Sequence, residues 1–174
     1  MDKSKDEIYM EKAIKQALVA SEEDEVPVGG VIIYEDKIVA KTYNQVEKLK
    51  DPTAHAEMIA ITQATNYLKS KWLKGCTLYV TVEPCCMCAG ALVLSRIDKV
   101  VFGARDEKSG AFGSKVDINS LKLTHRLKIK KGVLEKECAQ IMKDFFRRKR
   151  KSNNKMATLL HCVNKSNLKC CIYG

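Results

Sequence analysis

The chain has 174 residues, 45% hydrophobic and 30% charged, which fits one globular domain with or without a tail and excludes a wholly disordered chain. Its formal charge is +10, and no apolar run approaches the ~18 residues of a membrane span. Residues 1–10 mix both charge signs and lack the apolar stretch of a signal peptide, so a cytoplasmic protein without membrane association is expected.

Met10, Ala13, Ile14, Ala17 and Leu18 recur at helical spacing and predict a first helix over about residues 5–20. The acidic run Glu22 to Glu25 reads as a loop. Val26-Pro27-Val28-Gly29-Gly30-Val31-Ile32-Ile33 opens a strand and Lys37 to Asn44 forms another, with Glu35-Asp36 as a weak hairpin signal. After the polar loop Gln45 to Thr53, Asp51 reads as an N-cap and Pro52 as the first helical residue. Ala54, Met58, Ile61, Thr65 and Leu68 continue that helix on one face. Cys76 to Val82 alternates as a strand, Cys85 to Ser95 reads as a buried helix, and Lys99 to Ala104 as a buried strand. A Gly-rich loop, Arg105 to Ser114, precedes a short helix at Val116 to Leu123 and a last strand at Leu127 to Leu134. Cys138, Ile141, Met142, Phe145 and Phe146 predict a final amphipathic helix ending in Arg147 to Lys151. Residues 152–174 show no periodicity and are expected to form a disordered, basic tail after a domain over residues 1–151. Strand–helix–strand units in the middle imply a layered α/β domain with a mainly parallel sheet.

The positive charge is unevenly spread. From Phe145 onward there are eight basic residues and no acidic one, which leaves 23 basic against 21 acidic residues before it. Such a block suits a polyanionic partner, usually nucleic acid, or a merely solvated tail. There are eight cysteines, and without a secretion signal they point to metal or redox chemistry rather than a disulfide framework. Cys76, Cys86 and Cys138 read as small core residues. His161-Cys162 and Cys170-Cys171 match no structural zinc spacing.

Chemistry concentrates in His55-Ala56-Glu57 and in Pro84-Cys85-Cys86-Met87-Cys88. Cys85 and Cys88 are three apart and share a helix face; Cys86 lies roughly 100° away and should not bind the same ion. A helix N-terminus lowers a thiol's pKa and favours the thiolate that binds metal. His55 and Glu57, two apart, can converge only near a helix end. This pattern suits one Zn²⁺ held by His55, Cys85 and Cys88, with water in the open fourth position of a catalytic site. Glu57 then serves as general acid/base toward a water whose pKa is brought to roughly 7. Glu83 reads as a structural carboxylate at a helix start.

H-A-E followed by P-C-x-x-C is the signature of zinc-dependent nucleobase deaminases. With Glu25-Val26-Pro27-Val28-Gly29, Tyr43-Asn44, Asp51 to Glu57, Leu78-Tyr79-Val80-Thr81, Glu83-Pro84-Cys85, Met87-Cys88-Ala89-Gly90-Ala91, Ser95-Arg96-Ile97, Val101 to Asp106 and Phe145-Phe146-Arg147, residues 6–150 resemble the tRNA-specific adenosine deaminase family. The resemblance implies a cytidine deaminase-like, three-layer α/β/α sandwich with a mixed, mainly parallel five-stranded sheet, in a cytoplasmic homodimer. It implies hydrolysis of adenosine to inosine at the wobble position of a tRNA anticodon stem-loop, with Glu57 moving protons to the ring N1 and the departing amine. It places Asn44 and the N–H groups of Ala56 and Cys85 against substrate, and Phe145, Phe146, Arg147 and Arg148 against the anticodon loop. Gly30 departs from the pattern, which has alanine there.

Two other functions fit parts of the pattern. A deaminase of free guanine, cytosine or a nucleoside would use the same zinc site but has no use for the basic C-terminal helix. A thiol-disulfide protein would use Cys85-x-x-Cys88 but leaves His55 and Glu57 without a task.

Overall fold

The structure, a computed structural model, describes residues 3–167, with side chains through Ser152. Two compact units divide the chain, Met1–Met142 and Lys143–Gly174.

The first unit opens with α1, Lys5–Glu22. Ser4 caps it in a reciprocal box: its hydroxyl accepts the Glu7 N–H, and the Glu7 carboxylate accepts the Ser4 N–H at 2.8 Å. Met10, Ala13, Ala17 and Ala20 form the buried stripe, and Leu18 faces outward. The three alanines let the helix lie directly on the sheet. A Cβ added at Gly29 would fall 2.2 Å from the Ala13 carbonyl oxygen.

Strands β1 (Gly29–Tyr34) and β2 (Lys37–Tyr43) form an antiparallel hairpin. Its two-residue turn places Glu35 and Asp36 both at positive φ, 47° and 61°. That is the conformation a type I′ turn requires, and neither residue is the glycine or asparagine that normally announces it. Three further strands are β3 (Thr77–Val82), β4 (Lys99–Ala104) and β5 (Lys128–Lys131), and the sheet order is β2-β1-β3-β4-β5. β1 pairs antiparallel with both β2 and β3, while β3–β4 and β4–β5 are parallel. Four strands therefore point one way and β1 alone is reversed, a mixed sheet of mainly parallel sense.

Alternate residues of the central strands serve two cores. Ile32, Leu78, Val80, Val100 and Phe102 face α3 (Ala56–Leu68) and α4 (Cys86–Leu94), joined by Leu92, Ile97 and Phe112. Val31, Ile33, Tyr79 and Val101 face α1 and the first turn of α5 (Glu135–Asn167), where Cys138 is buried. The result is an α/β/α sandwich. Asp6 ties its layers together, accepting from the Tyr79 hydroxyl at 2.6 Å and pairing with Lys130 at 2.6 Å and Lys99 at 3.4 Å.

The remaining elements are short. Val46–Leu49 forms α2 inside the expected polar loop, and Ile118–Leu121 forms one 3₁₀ turn. Two expectations need correction. The α4 helix is not buried all round, because Leu94 is 77% exposed and Cys86 is exposed. The backbone of α5 is helical to Asn167, where the sequence suggested an irregular tail from residue 152. In the second unit Phe145 is buried, Phe146 is exposed and packs edge-on at 5.3 Å, and Arg147 pairs with Asp144. His161 and Cys162 lie beyond the described side chains, and Cys170 and Cys171 lie outside the described residues. Among the described residues, no helix is long and apolar enough to cross a membrane.

The two glycines that open β1 should respond oppositely to alanine. At Gly30 an added methyl meets only ordinary contacts, 3.5 Å from Thr42 Oγ1. Gly30→Ala should therefore raise stability by about 0.4–1 kcal/mol through the unfolded state. Gly29→Ala drives a methyl into α1 and should cost roughly 1–3 kcal/mol or more. Urea unfolding midpoints of the two variants decide the matter.

Candidate active site

Because β2, β3 and β4 run the same way, the residues that follow them emerge at one end of the sheet. These are Asn44 after β2, Glu83 to Cys85 after β3, and the loop from Arg105 after β4. The N-termini of α3 and α4 meet the same end. Together they line a cleft of about 320 Å³, within the range of small-molecule pockets.

Each helix begins on a candidate ligand. Asp51 does not cap α3. Its carboxylate instead accepts the Thr53 N–H at 2.8 Å and the Thr53 hydroxyl at 2.7 Å, closing a turn that carries Pro52 outside the helix. His55 takes the N-cap place, extended at φ −70°, ψ 151°, and its carbonyl accepts the first helical bond from Ile59. Cys85 does the same for α4 at φ −73°, ψ 173°, with its carbonyl accepting from Ala89. Neither side chain caps its own helix, so both are free to converge. Thr42 of β2 donates its hydroxyl to the Ala56 carbonyl at 2.7 Å and fixes the start of α3 against the sheet.

His55 Nδ1 lies 3.7 Å from Cys85 Sγ and 3.5 Å from Cys88 Sγ. The three donor atoms lie within 4.8 Å of one another and can hold a metal ion. Hydrogen bonds link the three groups. Hydrogen bonding from Cys88, with help from His55, pulls the Cys85 thiol down to about 4, while its bond to Cys85 pushes the Cys88 thiol up. The same thiolate raises the His55 pKa. Cys86, expected in the core, is exposed at the first position of α4, away from this group.

Glu57, in the first turn of α3, is 3% exposed and lines the cleft. Burial pushes its carboxyl pKa up. Among the described residues, its Oε2 is the only buried side-chain N or O atom without a hydrogen-bond partner. Leaving such an atom unpaired costs roughly 1–3 kcal/mol, so the fold holds this carboxylate ready for a group from outside. Ala56 is the first helical residue, and its N–H belongs to the turn that the helix leaves unpaired. Asn44 is buried at the cleft wall, with its Nδ2 donating to Glu25 Oε2 at 3.2 Å. Phe145, Phe146, Arg147 and Arg148 belong to the second unit.

Sequence comparison places this site in a family. The chain is 48% identical to the tRNA-specific adenosine deaminase of Aquifex aeolicus (strain VF5) over 145 residues, 83% of this chain and 95% of that protein. It is 46% identical to the tRNA-specific adenosine deaminase of Bacillus subtilis (strain 168), covering 85% of this chain and 92% of that one. The chain belongs to the tRNA-specific adenosine deaminase family. Residues 4–150 also match the MafB19-like deaminase family model. A solved structure from a study of A-to-I editing by tRNA:A34 deaminases at the wobble position of transfer RNA is 37% identical. It superposes with a TM-score of 0.72 over 77% of this chain and 98% of its own.

Two carboxylates of this deaminase carry more of the site than the sequence indicated. Glu83 does not serve the helix it precedes. It accepts the N–H groups of Phe112 (2.8 Å), Ser114 (3.2 Å) and Asp106 (3.3 Å) and the Ser114 hydroxyl, pinning the loop after β4 over the cleft. Burial pushes its pKa up, but these hydrogen bonds outweigh burial and hold the carboxyl below its usual range. Gly110 permits the approach, since a Cβ there would lie 2.5 Å from Glu83 Cδ. Glu25, 1% exposed, accepts the N–H groups of Lys48 (2.7 Å) and Glu47 (3.1 Å) besides Asn44. In the sequence Glu25 belongs to the motif Glu25 to Gly29 that carries the family resemblance, but locally it reads as part of an acidic, solvated loop.

If the donor group is His55, Cys85 and Cys88, Cys88→Ala should lose bound metal while Cys86→Ala keeps it. Metal analysis of the purified variants checks this, and stoichiometric metal in Cys88→Ala would overturn the assignment.

Proposed function

We propose that this protein hydrolyses adenosine to inosine and ammonia at the wobble position of a tRNA anticodon. The observation that carries the reading is the unpartnered, buried Oε2 of Glu57 in one cleft with His55 and Cys85, two of the three donors in the group that Cys88 completes. Family membership and the names of the relatives support the substrate.

Zinc suits the donor set. A tetrahedral ion with Zn–S near 2.3 Å and Zn–N near 2.0–2.1 Å requires S···N separations of about 3.6 Å, and those in this site are 3.7 and 3.5 Å. Bound there, one zinc per chain supplies a Lewis acid that makes a water acidic at neutral pH. Glu57 is the base for the attacking water: as the water oxygen bonds to C6, Glu57 takes its proton and gives it to adenine N1, then moves the proton of the new C6 hydroxyl to the N6 amine, so that the C6–N6 bond breaks and ammonia leaves. The Ala56 N–H and the Asn44 amide hold the nucleotide. The cleft admits one base, so the adenine is turned out of its strand. That costs least in an anticodon loop, where stacking is incomplete.

The exposed Phe146 with Arg147 and Arg148 grips the loop, a ring beside cations that stacks bases and neutralises phosphates, while the buried Phe145 packs edge-on against Phe146 and serves the contact only by supporting it. A second copy of the chain covers the outward face of α4. There Met87, Gly90, Ala91 and the 77% exposed Leu94 recur at helical spacing, and nothing lies within 4 Å of where a Gly90 Cβ would be. A cytoplasmic location is compatible with a tRNA substrate.

The test is incubation with an anticodon stem-loop bearing wobble adenosine, followed by nucleoside analysis. Inosine is expected from the native protein. Glu57→Ala should lose ~10²–10⁴-fold or more of the rate with metal content unchanged. Turnover of free guanine or cytosine, with none of the stem-loop, would overturn the proposed substrate.

The helix end makes a separate prediction. Alanine at Arg147 and Arg148 should weaken stem-loop binding and flatten its salt dependence by ~0.7 for each phosphate no longer neutralised. Deletion of residues 152–174 should leave deamination of saturating stem-loop nearly intact. Binding titrations at several salt concentrations check both, and the opposite pattern would make the tail the RNA-binding element.

A further inference from the structure

We propose that Glu25 is a positioning residue, setting which atoms of the Asn44 amide face the cleft. The proposal rests on the reading of Asn44 as a nucleotide contact.

Glu25 follows the end of α1, where Asp24 turns the chain at φ 64° and the Glu25 N–H donates to the Ala20 carbonyl at 2.9 Å. Its side chain is buried at the cleft wall. Oε1 accepts the Lys48 N–H, and Oε2 accepts both the Glu47 N–H and Asn44 Nδ2. The carboxylate is thus anchored by the backbone of α2 on one side and faces Asn44 on the other. Asn44 is anchored as well, since its own N–H donates to the Val28 carbonyl at 3.0 Å. Two fixed backbones therefore hold one side-chain contact between them.

The chemistry of that contact is directional. An ionised carboxylate only accepts hydrogen bonds, whereas an amide has a donating and an accepting end of nearly equal size. Facing Glu25, Asn44 must present its nitrogen. One Nδ2 hydrogen is committed there, which leaves the second hydrogen and Oδ1 for the nucleotide in a defined arrangement. Without an acceptor-only neighbour the amide can turn over, exchanging donor for acceptor. Adenine's edge carries acceptors and donors in a set order, so it distinguishes the two arrangements.

Glutamine at position 25 keeps the shape and an oxygen for the Lys48 N–H, while its nitrogen in place of Oε2 gives up the Glu47 N–H, donates to Asn44 and so favours the turned amide. A double-mutant cycle over Glu25→Gln and Asn44→Ala isolates this effect. Steady-state kinetics on the wobble-adenosine stem-loop supply the rates, with metal content and thermal unfolding measured for each variant. Glu25→Gln should lower kcat/KM tenfold or more, chiefly through KM, with metal retained. In the Asn44→Ala background the same change should alter kcat/KM less than twofold. An equal loss in both backgrounds, or no loss in either, overturns the proposal, because a role confined to holding α2 does not depend on Asn44.

Should Glu25→Gln unfold, Asn44→Asp probes the same contact from the other side. It sets a second carboxylate against Glu25 and should be less active than Asn44→Ala; equal activity overturns the proposal. Should the native protein form no inosine, the functional reading fails on its own. The cycle is then read on equilibrium binding of free adenosine and guanine, where non-additivity upholds the role of Glu25 and additivity overturns it.

Discussion

Two helix N-termini face one spot at the end of the sheet, and the placement of every other group in the site depends on that juxtaposition. A helix start has unpaired N–H groups and partial positive charge. Here both starts are left uncapped by their own N-cap side chains, His55 and Cys85, which are turned toward each other instead. What holds the helices there is close packing. The α3 helix lies on the hairpin through Ala60 and Ala64, and Thr42 of β2 grips the carbonyl of its first residue. On the opposite face α1 sits on β1 at Gly29, near enough to exclude any side chain at that position.

Three buried glutamates around the cleft divide the work according to what they are bonded to. Glu83 and Glu25 each collect backbone N–H groups from a segment without long regular structure, the loop after β4 and the short α2. Buried carboxylates are costly unless hydrogen-bonded, so such clusters hold loops as firmly as a ladder holds strands. Glu57 lacks that satisfaction at one oxygen. The same residue type is thus fully engaged where donors surround it and left with an open lone pair where they do not.

The hairpin links fold to chemistry. Because β1 is reversed, β2 runs parallel with β3 and delivers Asn44 to the same end as Glu83 and Cys85. The turn that makes this possible is built from Glu35 and Asp36 at positive φ, a conformation that costs ordinary residues some strain. Pairing of six residues on β1 with β2 over-determines it.

Local chemistry made much of this legible in the sequence. The amphipathic period of α1, the β-branched runs of β3 and β4, and the spacing of His55, Glu57, Cys85 and Cys88 are properties of neighbouring residues, readable without knowing what packs against them. Reading failed where a residue's partner lies far along the chain or where its neighbours compete for it. Asp51 has the composition of a helix cap, yet Thr53 takes its carboxylate and the helix starts at Ala56. Leu94 looks buried by type and is exposed, because α4 offers only one face to the sheet. Glu25 looks like a solvated acid and Glu83 like a carboxylate serving the helix it precedes, until partners 19 to 31 residues away reveal their donors. Most elements and the cluster of His55, Glu57, Cys85 and Cys88 were readable because local periodicity and side-chain chemistry set them. Which carboxylates are satisfied, and which keeps an open oxygen, depends on where distant backbone N–H groups come to rest, and only the folded chain shows that.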